Sequence, residues 1–347
     1  MTVKRIEELK DLSCSIFIKA GVAEQEANRV SEHLVNANLV GVDSHGVIRI
    51  PLYIEWISDG TINVNGKMEV IKETPVMALI DGHSSFGQVV AAKAAQIAAQ
   101  KAKKQGISIV SFKNASHIGR LGEYAEMIAN ESLIGLIMVN GQGAGQYVAP
   151  LGGKERRLSV NPFAWGIPTG QKELPIILDI STTVVAEGKI MVMKNKGKKV
   201  PEGWIIDAEG QPTTDPDKFY GPPVGSLLPL GMHKGFGLSL VIDILSGGLS
   251  GGGCSREGVE HFQNAGCIIA IDPGAIQDYN TFIKSVDALI KYVKTSETIY
   301  KNSKIMVPFE PEWYVKQRRK IEGIEIEEDT WKKIVETAKN LGLKIDE

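Results

Sequence analysis

Apolar residues recur at helical spacing over residues 4–19, where Ile6, Leu9, Leu12, Ile16 and Phe17 form one stripe and Gly21 supplies a stop. The pattern repeats over 23–39, and a third helix is read at 51–60, with Pro51 near its start and Gly60 at its end. After residue 66 the period changes. Residues 68–87 read as two short strands meeting at a Thr74-Pro75 turn. The alanine-rich stretch 87–106 reads as a long helix, 107–115 as a strand, 122–132 as a helix and 133–141 as a strand. Such alternation predicts an α/β core. Residues 143–230, rich in glycine and proline, carry several short strands, including 175–181, and a helix at 184–193. A buried helix opened by glycines is expected at 234–249, then a strand at 265–273 and a helix at 277–294. A strand at 304–310 and a closing helix at 328–341 complete the expectation. No repeat divides the chain, and its helical ends are expected to pack together around a central body.

Composition narrows the function classes. The 347 residues carry a formal net charge of −2 with no basic stripe, so nucleic-acid binding has no electrostatic support. Cys14, Cys254 and Cys267 form no CxxC pair, which fits a reducing compartment better than a disulfide framework. The charged start MTVKRIEELKDL has no apolar run typical of a secretory leader, and no stretch is long and apolar enough to span a membrane. A cytoplasmic protein is expected.

Familiar nucleotide fingerprints are incomplete. GQGAGQYV (141–148) lacks the third glycine of GxGxxG, and GHSSFGQV (82–89) puts Gln88 and Val89 where a P-loop needs Lys and Ser/Thr. There is no HExxH, no GxSxG and no clustered Cys/His metal set, so no metal is expected.

Two of the six histidines stand in chemically suggestive surroundings. GVDSHGVIRIPLY (41–53) places Ser44, His45 and Arg49 within six positions, just past a helix end. Arginine can clamp a carboxylate with two parallel hydrogen bonds, histidine can give or take a proton near neutral pH, and a serine hydroxyl can steer a substrate oxygen. A pairing of Arg49 with Asp43 is the competing explanation. His117 lies in NASHIGRLGEYA between a strand end and a helix start, where ligands commonly sit in α/β proteins. His45 is favoured as the acid/base and His117 as a positioning group, because a helix start beside His117 would favour its neutral form; the reverse assignment stays open. Lys234, in GMHKGFG, precedes an apolar helix whose first amides could attract an anion. LDISTTVVAEGK (178–189) offers Asp179, Ser181, Thr182 and Thr183, which could bind a ribose or phosphate, or only cap the next helix.

Five blocks in order resemble one family, the malate/L-lactate dehydrogenase type that lacks the usual Rossmann fold and includes L-sulfolactate dehydrogenase, ureidoglycolate dehydrogenase and diketogulonate reductase. DSHGVIRIPLY resembles its DSHGxxRxPxY stretch, and NASHIGRLGEYA its N-x-x-H-x-G-x-x-G-x-Y segment. PLGGKERRLSVNPFAWGIP, LDISTTVVAEGK and LPLGMHKGFGLSLVIDILSG complete the likeness over nearly the whole chain. The resemblance implies an α/β fold: a mixed-sheet nicotinamide-binding domain, not Rossmann, with a helical domain from the chain ends. It implies a helical unit of residues 1–70 joined by 290–347, and a cofactor- and substrate-binding body of 71–289. It further implies an NAD- or NADP-dependent oxidoreductase acting on a small 2-hydroxy or 2-oxo acid, with a cyclic 2-imino acid as the alternative, and a homodimer. On its motifs, Ser44, His45, Arg49 and His117 fall on the substrate site. Asp179, Ile180, Ser181, Thr182, Thr183, His233 and Lys234 fall on cofactor-contacting segments, and Glu310 on a late "PGE" in which Phe309 replaces glycine.

Overall fold

The computed structural model describes residues 2–259, 261–301 and 303–345. The chain opens with β1 (Thr2–Lys4), α1 (Ile6–Lys19), α2 (Glu24–Leu39) and α3 (Ile50–Ser58). The next stretch alternates: β2 (Glu69–Glu73), β3 (Met77–Asp81), α4 (Gly87–Gln105), β4 (Ile107–Ala115), α5 (Leu121–Asn130) and β5 (Ile134–Asn140). β6 (Phe163–Ile167), β7 (Ile176–Ile180) and α6 (Glu187–Asn195) follow, then the short elements β8 (Ile205–Ile206), β9 (Pro212–Thr213), α7 (Pro216–Tyr220) and β10 (Ser226–Leu227). α8 (His233–Asp243), β11 (Asn264–Ile271), α9 (Tyr279–Lys294), α10 (Glu310–Glu322), β12 (Ile324–Ile326) and α11 (Glu328–Asn340) finish the chain.

The central sheet has seven strands in the order β2-β3-β4-β11-β5-β6-β7. Only β3 and β4 run parallel; every other neighbouring pair is antiparallel. α4 provides the crossover between the parallel strands. Its alanines, Ala91, Ala94, Ala95 and Ala98, are buried and let the helix lie close on Ile80, Val110, Phe112 and Ile268. This mixed sheet agrees with the fold expected from the family resemblance.

A second core forms where the chain ends meet. Leu9, Ile16, Phe17, Leu34, Ile50 and Tyr53 pack with Ile324, Ile326, Ile334 and Ala338, and β1 pairs antiparallel with β12. A third, smaller cluster joins Val148, Leu158, Val185, Ile190, Ile205, Phe219 and Leu227 around the short strands.

Three expectations need correction. Residues 304–309 form no strand: of the alternating Ile305, Val307 and Phe309 only Phe309 is buried, and Glu310 opens α10. α10 itself was not anticipated. The helix expected at 234–249 forms, with α8 running into a single π turn at Ile244–Gly248, but it is not buried all round. Its packed side is Ser239, Ile242, Asp243, Ser246 and Gly247, while Leu238, Leu240, Val241, Ile244 and Leu249 are exposed.

Candidate active site

The turn carrying His45 is built on α2. Asn38, near the end of that helix, accepts a hydrogen bond from Val47 N at 2.8 Å and donates to Asp43 at 2.7 Å. Gly46 lies so close that a Cβ there would overlap the Asn38 side chain, so the turn tolerates only glycine. Arg319 of α10 donates to both oxygens of Asp43, at 2.7 and 3.1 Å. Asp43 is thus taken by Arg319, and the pairing with Arg49 considered from sequence does not form. Arg49 Nε instead donates to Ser44 O at 2.7 Å, and among the described residues no carboxylate pairs with its guanidinium. Ser44 Oγ lies 3.0 Å from His45 Nδ1.

His117 sits in the loop between β4 and α5. That helix begins at Leu121, so His117 does not start it, and the field expected from a helix start is not what acts on this imidazole. The loop is pinned at three points. Ile118 N donates to Asn264 Oδ1 at 3.0 Å, Tyr124 Oη donates to Ile118 O, and Arg120 N donates to His33 Nε2 at 2.9 Å. Between them Gly119 adopts φ +76° against the His33 ring, which a Cβ would overlap. His33 is held from its other nitrogen by Glu123 at 2.9 Å, and Glu123 also meets Arg29 at 2.6 Å. Burial opposes ionisation of Glu123, but His33, Arg29 and Arg120 together outweigh it and hold the carboxyl well below its ordinary range.

These two scaffolds bring His45 and His117 together. Their rings stack with centroids 5.6 Å apart and planes 23° from parallel. Phe262 flanks His117 at 6.1 Å and stacks on Trp56 at 5.9 Å. On its far side, His117 Nδ1 lies 2.7 Å from Tyr53 Oη, which receives a hydrogen bond from Gln88 Nε2 at 2.8 Å. Burial first, and the Arg49 cation second, push His45 down to about 3 and His117 well below the ordinary imidazole value. Burial drives Tyr53 up to about 12, against the opposing effect of Arg49 and the Gln88 bond. Both imidazoles are therefore neutral near neutral pH, beside a guanidinium that has no carboxylate partner among the described residues.

The segment 180–183 lies against the start of α8. Leu230 N donates to Thr182 O at 2.9 Å, Val184 N to Leu228 O at 3.1 Å, and Thr183 bridges Pro229. This places Thr182 and Thr183 against Pro229, Leu230 and Gly235, the turn and first residues that carry His233 and Lys234. The threonine hydroxyls bond within the loop and to Val160 O, and the next helix starts only at Glu187, so the capping role considered for this segment is not observed. Asp179 instead accepts from Gly122 N at 2.7 Å, on the first turn of α5, two residues beyond Arg120. The α8 start has no acidic residue and no side-chain cap, and among the described residues no carboxylate pairs with the exposed Lys234. The amides of Lys234, Gly235 and Phe236 are already taken by Gly231 O, Leu230 O and Met232 O, so it is the Lys234 cation at a helix start, more than free amides, that suits the phosphates of a dinucleotide. Glu310 has other partners: Lys294 at 2.5 Å and Val307 N at 2.8 Å, next to Phe309 at φ 80°.

Sequence reasoning overlooked Tyr53, Gln88, Trp56 and Phe262. Tyr53 was legible in principle, lying one helical turn after Arg49 within the same motif. Gln88 was set aside with the failed P-loop pattern, although a glutamine amid an alanine-rich helix face is itself a signal. Nothing in the local sequence links Phe262 to this site.

A family model of malate/L-lactate dehydrogenases matches residues 5–335. Malate/(S)-sulfolactate dehydrogenase of Methanothermus fervidus is 37% identical over 345 residues, covering 98% of each chain. The structure of sulfolactate dehydrogenase from Methanocaldococcus jannaschii superposes with a TM-score of 0.88 at 35% identity, covering 99% of this chain and 98% of the other. The Δ1-piperideine-2-carboxylate reductase of Pseudomonas syringae shares the fold with a TM-score of 0.87 at 26% identity, over 97% of this chain and 100% of the other.

Proposed function

The chain belongs to the malate/L-lactate dehydrogenase family, and from that premise we propose that it moves a hydride between a nicotinamide dinucleotide and C2 of a small 2-hydroxy or 2-oxo acid. The observation that carries this reading is the stacked His45–His117 pair beside Arg49, a guanidinium with no carboxylate of its own. Arg49 takes the substrate carboxylate in a bidentate pair. Ser44 and His45 hold the C2 oxygen. His117 carries the proton: its imidazole is oriented by a buried partner, as a general base should be, whereas His45 leans only on an exposed serine. This reverses the preference drawn from sequence, whose premise was a helix start at His117. In the oxidation direction the C2–H electron pair leaves as hydride while the hydroxyl proton passes to His117; reduction retraces both transfers.

When bound, the nicotinamide supplies the hydride acceptor or donor. Asp179, Ile180, Ser181, Thr182 and Thr183, with His233 and Lys234, form its cradle, and Glu310 serves by fixing the start of α10. The cofactor is NAD or NADP. The exposed apolar side of α8 supports a homodimer, and among the described residues no helix is long and apolar enough to cross a membrane. The reductase of a cyclic 2-imino acid is the second reading, supported by the likeness to the piperideine-carboxylate enzyme.

Absorbance at 340 nm with each reduced cofactor tests both. Oxaloacetate, sulfopyruvate and pyruvate should include a turned-over substrate. Turnover of Δ1-piperideine-2-carboxylate alone would replace the first reading with the second. His117→Gln should lose on the order of a hundredfold in kcat, and His45→Gln less.

A further inference from the structure

Gln88 is completely buried on the first turn of α4. Its amide nitrogen donates to Tyr53 Oη, and its other end, Oε1, is buried with no hydrogen-bond partner among the described residues. An unmet buried oxygen costs free energy that leucine or methionine of similar size would not. The string Gln88–Tyr53–His117 ends at Nδ1 of the proposed proton carrier. We propose that Gln88 sets the direction of hydrogen bonding along this string, and so decides whether His117 presents a donor or an acceptor to the substrate oxygen.

The reasoning follows from proton count. With Gln88 Nε2 donating to Tyr53, the tyrosine proton points at His117 Nδ1. Neutral imidazole then carries its hydrogen on Nε2 and offers a donor, which suits binding the carbonyl of a 2-oxo acid; the proton transfer of reduction itself starts from the imidazolium, which takes its second proton from solvent at Nδ1 as Tyr53 turns its own hydrogen to Gln88. With the amide turned over, Tyr53 donates to Gln88 Oε1 and accepts from Nδ1–H. Nε2 is then a lone pair, which suits the hydroxyl of a 2-hydroxy acid. When that hydroxyl proton moves to Nε2, the imidazolium keeps Nδ1–H on Tyr53, and no further bond reverses. A carboxamide fits either way because its two ends have the same shape. A dehydrogenase that must hold both oxidation states of its substrate can use such a reversible end-stop. Gln88 is thus a positioning residue, acting through Tyr53, and the proposal rests on His117 being the proton carrier.

The test reads the His117 tautomer directly, by nitrogen-15 NMR of histidine-labelled protein without substrate, with His117→Gln identifying the resonances. Wild type should show the Nε2–H form. Gln88→Leu, which leaves Tyr53 only His117 to donate to, should keep that form. Gln88→Glu, whose carboxylate can only accept, should convert it to the Nδ1–H form and raise the pH limb of kcat/KM by at least about one unit. An unchanged tautomer in a folded Gln88→Glu protein would overturn the proposal. If that variant fails to fold, Gln88→Met with Tyr53→Phe decides: only Tyr53→Phe should release His117 into mixed tautomers, and equal spectra would count against the string. A changed tautomer with an unmoved pH limb would also overturn it. In that case a limb that survives in His117→Gln traces the failure to the proton-carrier reading rather than to Gln88.

Discussion

In the proposed function, Arg49 is the residue on which substrate binding turns. Its sequence neighbour Asp43 is occupied by Arg319, which leaves the guanidinium for an incoming acid. Arg49→Lys should keep the charge but lose the two-pronged geometry, costing about 2–4 kcal/mol of transition-state binding in kcat/KM. An unchanged kcat/KM would remove Arg49 from the site. Arg49 also helps keep the histidines neutral, and this has a consequence for stability. His45 is held near 3 in the folded chain but titrates near its ordinary 6.5 when unfolded, so the unfolded state binds the extra proton between those values. Stability from this source is full above about 6.5 and is lost as pH falls toward 3. Melting temperatures from pH 7 to pH 5 should fall more steeply in wild type than in His45→Gln. Parallel curves would contradict the shift. Ser44, His45, Arg49 and His117 were singled out in the sequence because residue chemistry and motif both flagged them, and the fold brings them together. Tyr53 and Gln88 left weaker signals, a motif position one turn after Arg49 and a glutamine in an alanine-rich helix, and only the fold sets both behind a histidine.

At the scale of elements, the His117 loop depends on α2 as much as on its own flanks. His33 accepts from Arg120 N, and Gly119 fits against the ring in a left-handed conformation. Gly119→Ala should cost more than about 1 kcal/mol in stability and also reduce kcat, because the loop must move to admit the methyl group. A loss of stability with kcat unchanged would show that His117 is placed independently of His33. Most helices and the strands flanking α4 were readable from hydrophobic period. α10 was missed although Pro311, an acidic first turn and Gly323 mark its ends. Its apolar residues are too few for a stripe, and its N-cap is Phe309 in the left-handed region, where sequence reading expects Ser, Asp or Gly. The alternation at 305–309 drew the eye to a strand instead.

In the whole molecule, the seven-stranded mixed sheet was anticipated only through the family resemblance, because strand order and direction are set by contacts far apart in sequence. The exposure of α8 has the same origin: an apolar run reads as buried whether the neighbour is the same chain or another. Leu238, Leu240, Val241, Ile244 and Leu249 form a patch of the kind that marks an interface. Val241→Asp should shift the protein from dimer to monomer in sedimentation velocity at micromolar concentration. A wild-type protein that already sediments as a monomer would refute the dimer. The central claim is hydride transfer to C2 coupled to protonation of the C2 oxygen. Its most direct test is the fate of deuterium carried at both C4 positions of the reduced nicotinamide, followed by NMR of the product formed from the best 2-oxo acid. One deuterium at C2 of the resulting 2-hydroxy acid, with only solvent hydrogen on its oxygen, is the predicted result; a product without deuterium at C2 would contradict it.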